Sequence, residues 1–237
     1  MIRIWQFILV LITAGACAGR AAIIADWTFE TSQPDIPSPG AADTGLYAAE
    51  SGINASSSFS SGHHADASTV WSSPSGDGSS HSFSSTRWAS EDYYQFTTST
   101  LGYNNIVITF EQTSSASSLN SFKFAYSTDG TTFTDFNSSY SVGTTSWSTS
   151  GSVLATKLNF DLSSISTINN NATTYFRIID ISTGNLTTTT SRVDDFVITA
   201  SAVPEPAAYG AISGAGLLAL CGWRVWRPCR RRENLKS

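Results

Sequence analysis

The chain has 237 residues, of which only 13% are charged, and carries a formal net charge of −5. That charge is uneven: residues 23–202 hold five basic residues (Arg87, Lys123, Lys157, Arg177 and Arg192) against sixteen Asp and Glu, a formal −11, while six basic residues crowd into the last fourteen positions. An acidic body argues against nucleic acid as a partner, because phosphate binding needs clustered Lys and Arg; it suits solubility, divalent cations or neutral polymers.

The length fits one domain with appendages. At the N-terminal end, Arg3 precedes an apolar run over residues 4–12, and small residues follow at Ala14, Gly15, Ala16 and Ala18. This is the layout of a secretory signal peptide over residues 1–22, with cleavage after Ala18 or after Ala22. A lipoprotein signal with Cys17 as the modified residue is an alternative, although Ala14 stands where such signals prefer a larger aliphatic. The other two cysteines, Cys221 and Cys229, lie near the C-terminal end, so residues 23–202 have no disulfide framework or thiolate metal site and rely on core burial.

Residues 23–29 read as a first strand and residues 31–45 as a long loop. Residues 55–85 are rich in Ser and Gly and carry His63, His64 and His81, which predicts a mobile loop or a weakly paired strand. Residues 92–98 are aromatic and β-prone. Residues 105–112 alternate, with Ile106, Ile108 and Phe110 on one side and Val107, Thr109 and Glu111 on the other. Residues 121–127 repeat that pattern, and the Asp129-Gly130 pair that follows is a hairpin signal. Further strands are expected over 153–160, 174–181 and 191–200, with one short helical turn within 162–168. Many short strands separated by Ser, Thr, Asn and Gly predict an all-β, jelly-roll-like sandwich over residues 23–202.

The C-terminal end has three parts: Val203-Pro204-Glu205-Pro206, an apolar or small-residue stretch over 207–223, and a cluster formed by Arg227, Arg230, Arg231 and Arg232, before a short tail over 233–237. Seventeen helical residues span roughly 25 Å, the short limit for crossing a bilayer. Trp223 and Trp226 suit its interface, and the Arg cluster should stay on the cytoplasmic side. An ordinary C-terminal anchor would have the same outline. The order of the three parts resembles the PEP-CTERM sorting signal of exported Gram-negative proteins. That resemblance implies an exosortase partner that removes the tail at the inner membrane and passes the protein to the cell surface or extracellular matrix.

Two body segments carry a second resemblance. The run from Phe124 through Thr128-Asp129-Gly130 to Phe133, and the closing Ser191-Arg192-Val193-Asp194-Asp195-Phe196-Val197-Ile198, are similar to parts of galactose-binding-like jelly rolls, which include many carbohydrate-binding modules. Trp27-Thr28-Phe29-Glu30 fits their first strand. The resemblance implies polysaccharide as a ligand and a structural Ca²⁺ between first and last strands. Asp194 shares a strand face with Phe196 and Ile198, so it is directed inward and needs a partner. Asp194 and Asp195, facing Asp26 or Glu30, are the candidate ligands; an ion pair with Arg192 or Arg177 is the plainer alternative.

Trp71, Trp88, Tyr93, Tyr94 and Trp147, with Arg87 close by, are candidates for a sugar-stacking face, although most such rings in a sandwich belong to the core. The pair His63-His64, with Asp66 nearby, is expected to be a solvated loop rather than a metal site, because adjacent side chains on an extended chain point apart. No nucleophile elbow, zincin, P-loop or dinucleotide motif is present. The adjacent acidic pairs Glu91-Asp92 and Asp194-Asp195 face opposite ways, which does not suit a cooperating acid and base. The expected class is therefore a non-enzymatic surface protein that binds polysaccharide, with a secreted hydrolase or a purely structural surface protein as alternatives.

Overall fold

The computed structural model describes residues 20–34, 37–183 and 186–203. Apart from Val203, these belong to one compact unit of the chain, Ala18–Ala202; residues 1–19 of the expected leader and the sorting motif beyond Val203 (Pro204, Glu205, Pro206 and the Arg cluster) lie outside the described residues, while Ala21 and Ala22 begin the first strand.

The unit is a β-sandwich of two antiparallel seven-stranded sheets. The first contains β1 (Ala21–Trp27), β2 (Ser38–Pro39), β5 (Val70–Ser72), β6 (Phe83–Trp88), β8 (Tyr103–Ser114), β12 (Lys157–Asp161) and β14 (Leu186–Ala202), in the order β12-β8-β14-β6-β5-β2 with β1 also on β14. The second contains β3 (Tyr47–Ala48), β4 (Phe59–His63), β7 (Tyr93–Thr98), β9 (Ser121–Ser127), β10 (Thr134–Asp135), β11 (Tyr140–Ser141) and β13 (Thr174–Asp180), in the order β10-β9-β13-β7-β4-β3 with β11 also on β9.

The core follows from strand alternation. Tyr94, Phe96, Phe122, Phe124, Phe176 and Ile178 point inward from the second sheet, and Ile106, Ile108, Phe110, Phe196 and Ile198 from the first. Rings interdigitate across the interface: Phe96 stacks on Phe196 with centroids 3.5 Å apart, and Trp27 meets both edge-on at 5.3 and 5.8 Å. Each such pair adds about 0.5–1.5 kcal/mol beyond area burial.

The expected β9 matches its observed bounds, and β8 buries the predicted face of Ile106, Ile108 and Phe110. Two expectations are corrected. Residues 55–85, expected as a mobile loop or a weakly paired strand, hold β4, β5 and the start of β6. Many of their buried positions are small (Ser58, Ser60, Gly62, Ser82, Ser84 and Ser85) and pack beside the large rings of Trp71 and Phe83; a Cβ on Gly62 would collide with the Trp71 ring. The strand expected over 153–160 begins only at Lys157, after a single 3-10 turn over Leu154–Thr156.

Candidate functional site

The site grows from an irregularity in β14. Along Leu186–Val193 this strand pairs with β6, and along Phe196–Ser201 with β1. Between them lies a bulge opposite β8, where Asp195 adopts φ 45°. The extra residue frees β14 to change partners and turns Asp194 fully inside.

A buried carboxylate must find donors. Asp194 Oδ2 accepts from the Asp77 N–H at 3.0 Å and the Ser79 hydroxyl at 2.6 Å, and Oδ1 accepts from the Asp195 N–H at 3.0 Å. Burial still pushes its pKa up to about 7. The loop around residues 75–82 is thus fastened over the bulge. Asp77 carries the connection onward, because its carboxylate accepts from Val153 N–H at 2.7 Å and Thr156 Oγ1 at 2.6 Å, while Gly78 N–H donates to Ser148 O at 2.9 Å. From the other side, Thr113 Oγ1 donates to Thr145 O at 2.7 Å and accepts from Thr145 N–H at 2.9 Å. These bonds fix the segment that carries Trp147.

Beside Trp147 lies a cleft of ≈ 330 Å³ lined by Thr113, Ser114, Ser115, Thr144, Thr145, Ser146, Thr190 and Arg192. Arg192 is the only charged residue among them, and its Nη1 donates to Ser75 O at 3.3 Å. Two polar groups in the cleft wall, the Trp147 indole N–H and the Ser114 hydroxyl, are buried without a hydrogen-bond partner among the described residues. Each such orphan costs about 1–3 kcal/mol. The cleft therefore combines hydroxyls, one guanidinium and one indole, and can exchange hydrogen bonds with a hydroxyl-rich ligand.

A second, larger cleft of ≈ 520 Å³ lies over β1, β8, β12 and β14 and is lined by Asp26, Glu111, Asp195, Lys157 and Asn159, among others. Burial raises the pKa of Asp26, Glu111 and Asp195, and Lys157 pairs with Glu111 at 2.5 Å. Its one cation is committed to the most buried acid, and its one ring, Phe110, is almost wholly buried.

Three of the four carboxylates expected to share Ca²⁺ accept hydrogen bonds from the protein: Asp194 from Asp77, Ser79 and Asp195, Glu30 from the His81 N–H at 2.9 Å, and Asp26 from Ser51 Oγ at 2.9 Å. Among the described residues, no three His, Cys, Asp or Glu side chains group closely enough to hold a metal. Asp194 is buried, but not by alternation with Phe196 and Ile198: its neighbour Val193 faces the core, the bulge breaks the register, and what covers Asp194 is a loop. The sugar-stacking face is likewise corrected. Trp71, Trp88 and Tyr94 are core residues with no ring face toward solvent, whereas Tyr93 faces outward on β7 and Arg87 pairs with Asp66 at 3.3 Å. Trp147 lines the smaller of the two clefts described above.

His64 is buried, not solvated, and packs against Trp71 and Trp88 at centroid distances of 4.8 and 4.4 Å. Its Nδ1 lies 3.4 Å from Asp92 Oδ2 and its Nε2 3.2 Å from Ser85 Oγ, which repeats the connectivity of a Ser-His-Asp triad. All three residues are sealed from solvent, and Ser85 Oγ donates to Tyr94 OH at 2.9 Å. Burial lowers the His64 pKa to about 4, so the ring is neutral at pH 7. The readable signal for this residue is the rule that adjacent side chains point apart: His63 faces outward, so His64 faces inward.

Among the described residues, no helix is long and apolar enough to cross a membrane.

No family model matches the chain, and no curated protein matches it. Solved structures do. The CBM22-1–GH10 modules of a Clostridium thermocellum endo-1,4-beta-D-xylanase complexed with xylohexaose align at TM-score 0.44 and 11% identity over 78% of this chain, which spans 29% of that structure. TmCBM61 in complex with beta-1,4-galactotriose aligns at TM-score 0.31 and 14% identity, covering 72% of this chain and 92% of its own. CBM51-2 and INT domains of Clostridium perfringens ZmpB, in complex with GlcNAc, align at TM-score 0.26 and 10% identity, covering 76% and 40%. At these scores and identities the likenesses assign no function.

Proposed function

We propose that this chain is an exported surface protein that binds neutral polysaccharide in the cleft beside Trp147. The carrying observation is the cleft lining, in which Thr113, Ser115, Thr144, Thr145, Ser146 and Thr190 surround Trp147 and Arg192. A sugar offers hydroxyl donors and acceptors around its ring, and each bond made nets about 0.5–1.5 kcal/mol. A few such bonds and a partly covered indole correspond to roughly −4 to −6 kcal/mol, or millimolar to tens of micromolar affinity.

Export rests on the leader over residues 1–22. Sorting by an exosortase-type enzyme, from a transient inner-membrane anchor to the cell surface or matrix, rests on Val203-Pro204-Glu205-Pro206 and the Arg cluster. The protein is read as non-catalytic. A hydrolytic reading has one observation behind it, the Ser85–His64–Asp92 line, and the burial of all three supports a role in packing.

Native gel electrophoresis of the full chain in gels containing soluble xylan, galactan or glucan tests the proposal. Retardation by at least one neutral polymer, relieved by its free oligosaccharide, is expected. Unaltered mobility in every gel would overturn it.

A further inference from the structure

The outer face of the second sheet carries a cation with no counter-charge. On β13, Arg177 stands opposite Gln95 of β7 and Ala125 of β9. Its Nε donates to Gln95 Oε1 at 2.9 Å, and the small Ala125 leaves its plane room. The guanidinium carbon lies 3.7 Å from the centroid of the Tyr93 ring and 3.7 Å from that of Phe133. With Nε engaged and a ring stacked against it at each of two contacts, the two Nη groups are what Arg177 has left to offer.

The hairpin singled out in the sequence exists to place Phe133. Asp129 Oδ1 accepts from the N–H groups of Thr131 and Thr132 at 2.8 and 2.7 Å and from Ser127 Oγ at 2.8 Å. Gly130, at φ 74°, lies so near the Tyr175 ring that a Cβ would sit 3.0 Å from its Cζ. This turn folds Phe133 back toward Arg177.

A clamped guanidinium need not be a ligand site, since stacking alone stabilises it. Its electrostatic setting points further. In a body of formal charge −11, Arg177 is half-buried and makes no ion pair among the described residues. The neighbouring cation on this face, Lys123, is already committed to Glu91 at 3.3 Å and Asp135 at 3.8 Å. A partly desolvated charge gains most from an anion supplied from outside, and a fork held by two rings has already lost its rotamer freedom.

The geometry points to a second binding site on this face, at which Arg177, flanked by Tyr93 and Phe133, receives the carboxylate of a uronic acid in a polysaccharide. A carboxylate matches the guanidinium fork, and the sugar that carries it lies against the ring edges. The acidic body works against a densely charged polymer, so the ligand that suits this face carries isolated carboxylates among neutral sugars. This site is separate from the Trp147 cleft.

Calorimetric titration of the full chain with a trisaccharide that carries one galacturonate among neutral galactoses (the charged trimer), with free galacturonate and with a neutral galactose trimer tests it. The charged trimer is expected to bind at least tenfold more tightly than the neutral one, and more weakly as salt rises from 50 to 500 mM. The monomer should bind more weakly than the charged trimer, since it lacks the flanking sugars. Arg177→Lys should lose tenfold or more, and Trp147→Ala nothing. Equal binding of charged and neutral trimers, or an Arg177→Lys chain that melts and binds like wild type, would overturn the site. Should Arg177→Lys fail to fold, Phe133→Leu decides: it releases the clamp from an exposed hairpin, and unchanged affinity for the charged trimer would also overturn the site.

Discussion

Gly76 lies directly against the carboxylate of Asp194, so that a Cβ at position 76 would collide with Asp194 Oδ2, with Ser79 Oγ and with the backbone oxygen of His81. The contact joins two segments more than a hundred residues apart, the β14 bulge and the loop that covers it. From that loop Asp77 and Gly78 reach the segment carrying Trp147. The cleft beside Trp147 is therefore braced by a carboxylate that lies outside its lining.

Gly76→Ala is expected to destabilise the protein by about 3 kcal/mol, the upper range for overpacking where a backbone atom must move. For a domain of this size that lowers the melting temperature by roughly 6–12 °C. An unchanged denaturation midpoint would mean that the loop shifts freely and does not fasten the bulge.

Asp77→Ala removes the acceptor for Val153 N–H and Thr156 Oγ1 but lines no part of the cleft. Polysaccharide affinity should fall about three- to tenfold while the β-sheet circular dichroism spectrum is retained. Affinity equal to wild type would show that Trp147 is positioned without this loop.

Stability should rise as pH falls from 8 to 5. Burial raises Asp194 to about 7 and Asp180 to about 6, so the folded state binds two protons there that the unfolded chain, with Asp near 3.8, does not. The stability these groups contribute is fully present below the unfolded pKa and is lost as pH rises through the folded values. His64 works in the opposite sense, because its pKa is lowered from 6.5 to about 4 and its contribution is lost as pH falls across that interval. Two carboxylates outweigh one imidazole. Below pH 4 the sign reverses, since hydrogen bonds hold Asp66, Asp129 and Asp161 below the usual carboxylate range. A melting temperature that is highest near pH 5 is expected, with Asp194→Asn flattening the slope between pH 5 and 8. A maximum at pH 8 would contradict this balance.

Sorting makes its own prediction. The mature protein from its native host should have a mass that lacks the tail after Val203 and should fractionate away from the inner membrane. A retained tail in the inner-membrane fraction would mean an ordinary anchor.

Much of the sandwich is legible in the alternation of β8, β9 and β13, where large apolar side chains recur at every second position. The stretch over residues 55–85 is not, because Trp71 and Phe83 apart, most of its buried positions are Ser, Thr and Gly, and small residues leave no hydrophobic period. The burial of Asp194 does not follow from alternation with Phe196 and Ile198, because the bulge at Asp195 breaks the register. Its partners, Asp77 and Ser79, come from a loop 117 and 115 residues away, and nothing local in the sequence announces them. Trp147 stands out as a ring; its cleft is built from turns whose backbone bonds carry no residue signature.

Calorimetric titration of wild type and Trp147→Ala with the neutral polysaccharide that most retards the protein in gels tests the central claim most directly. The expected result is saturable binding by wild type at millimolar to tens-of-micromolar affinity and at least a tenfold loss in a Trp147→Ala chain that still melts cooperatively. Undiminished binding by that variant would contradict the claim and move the site away from the cleft.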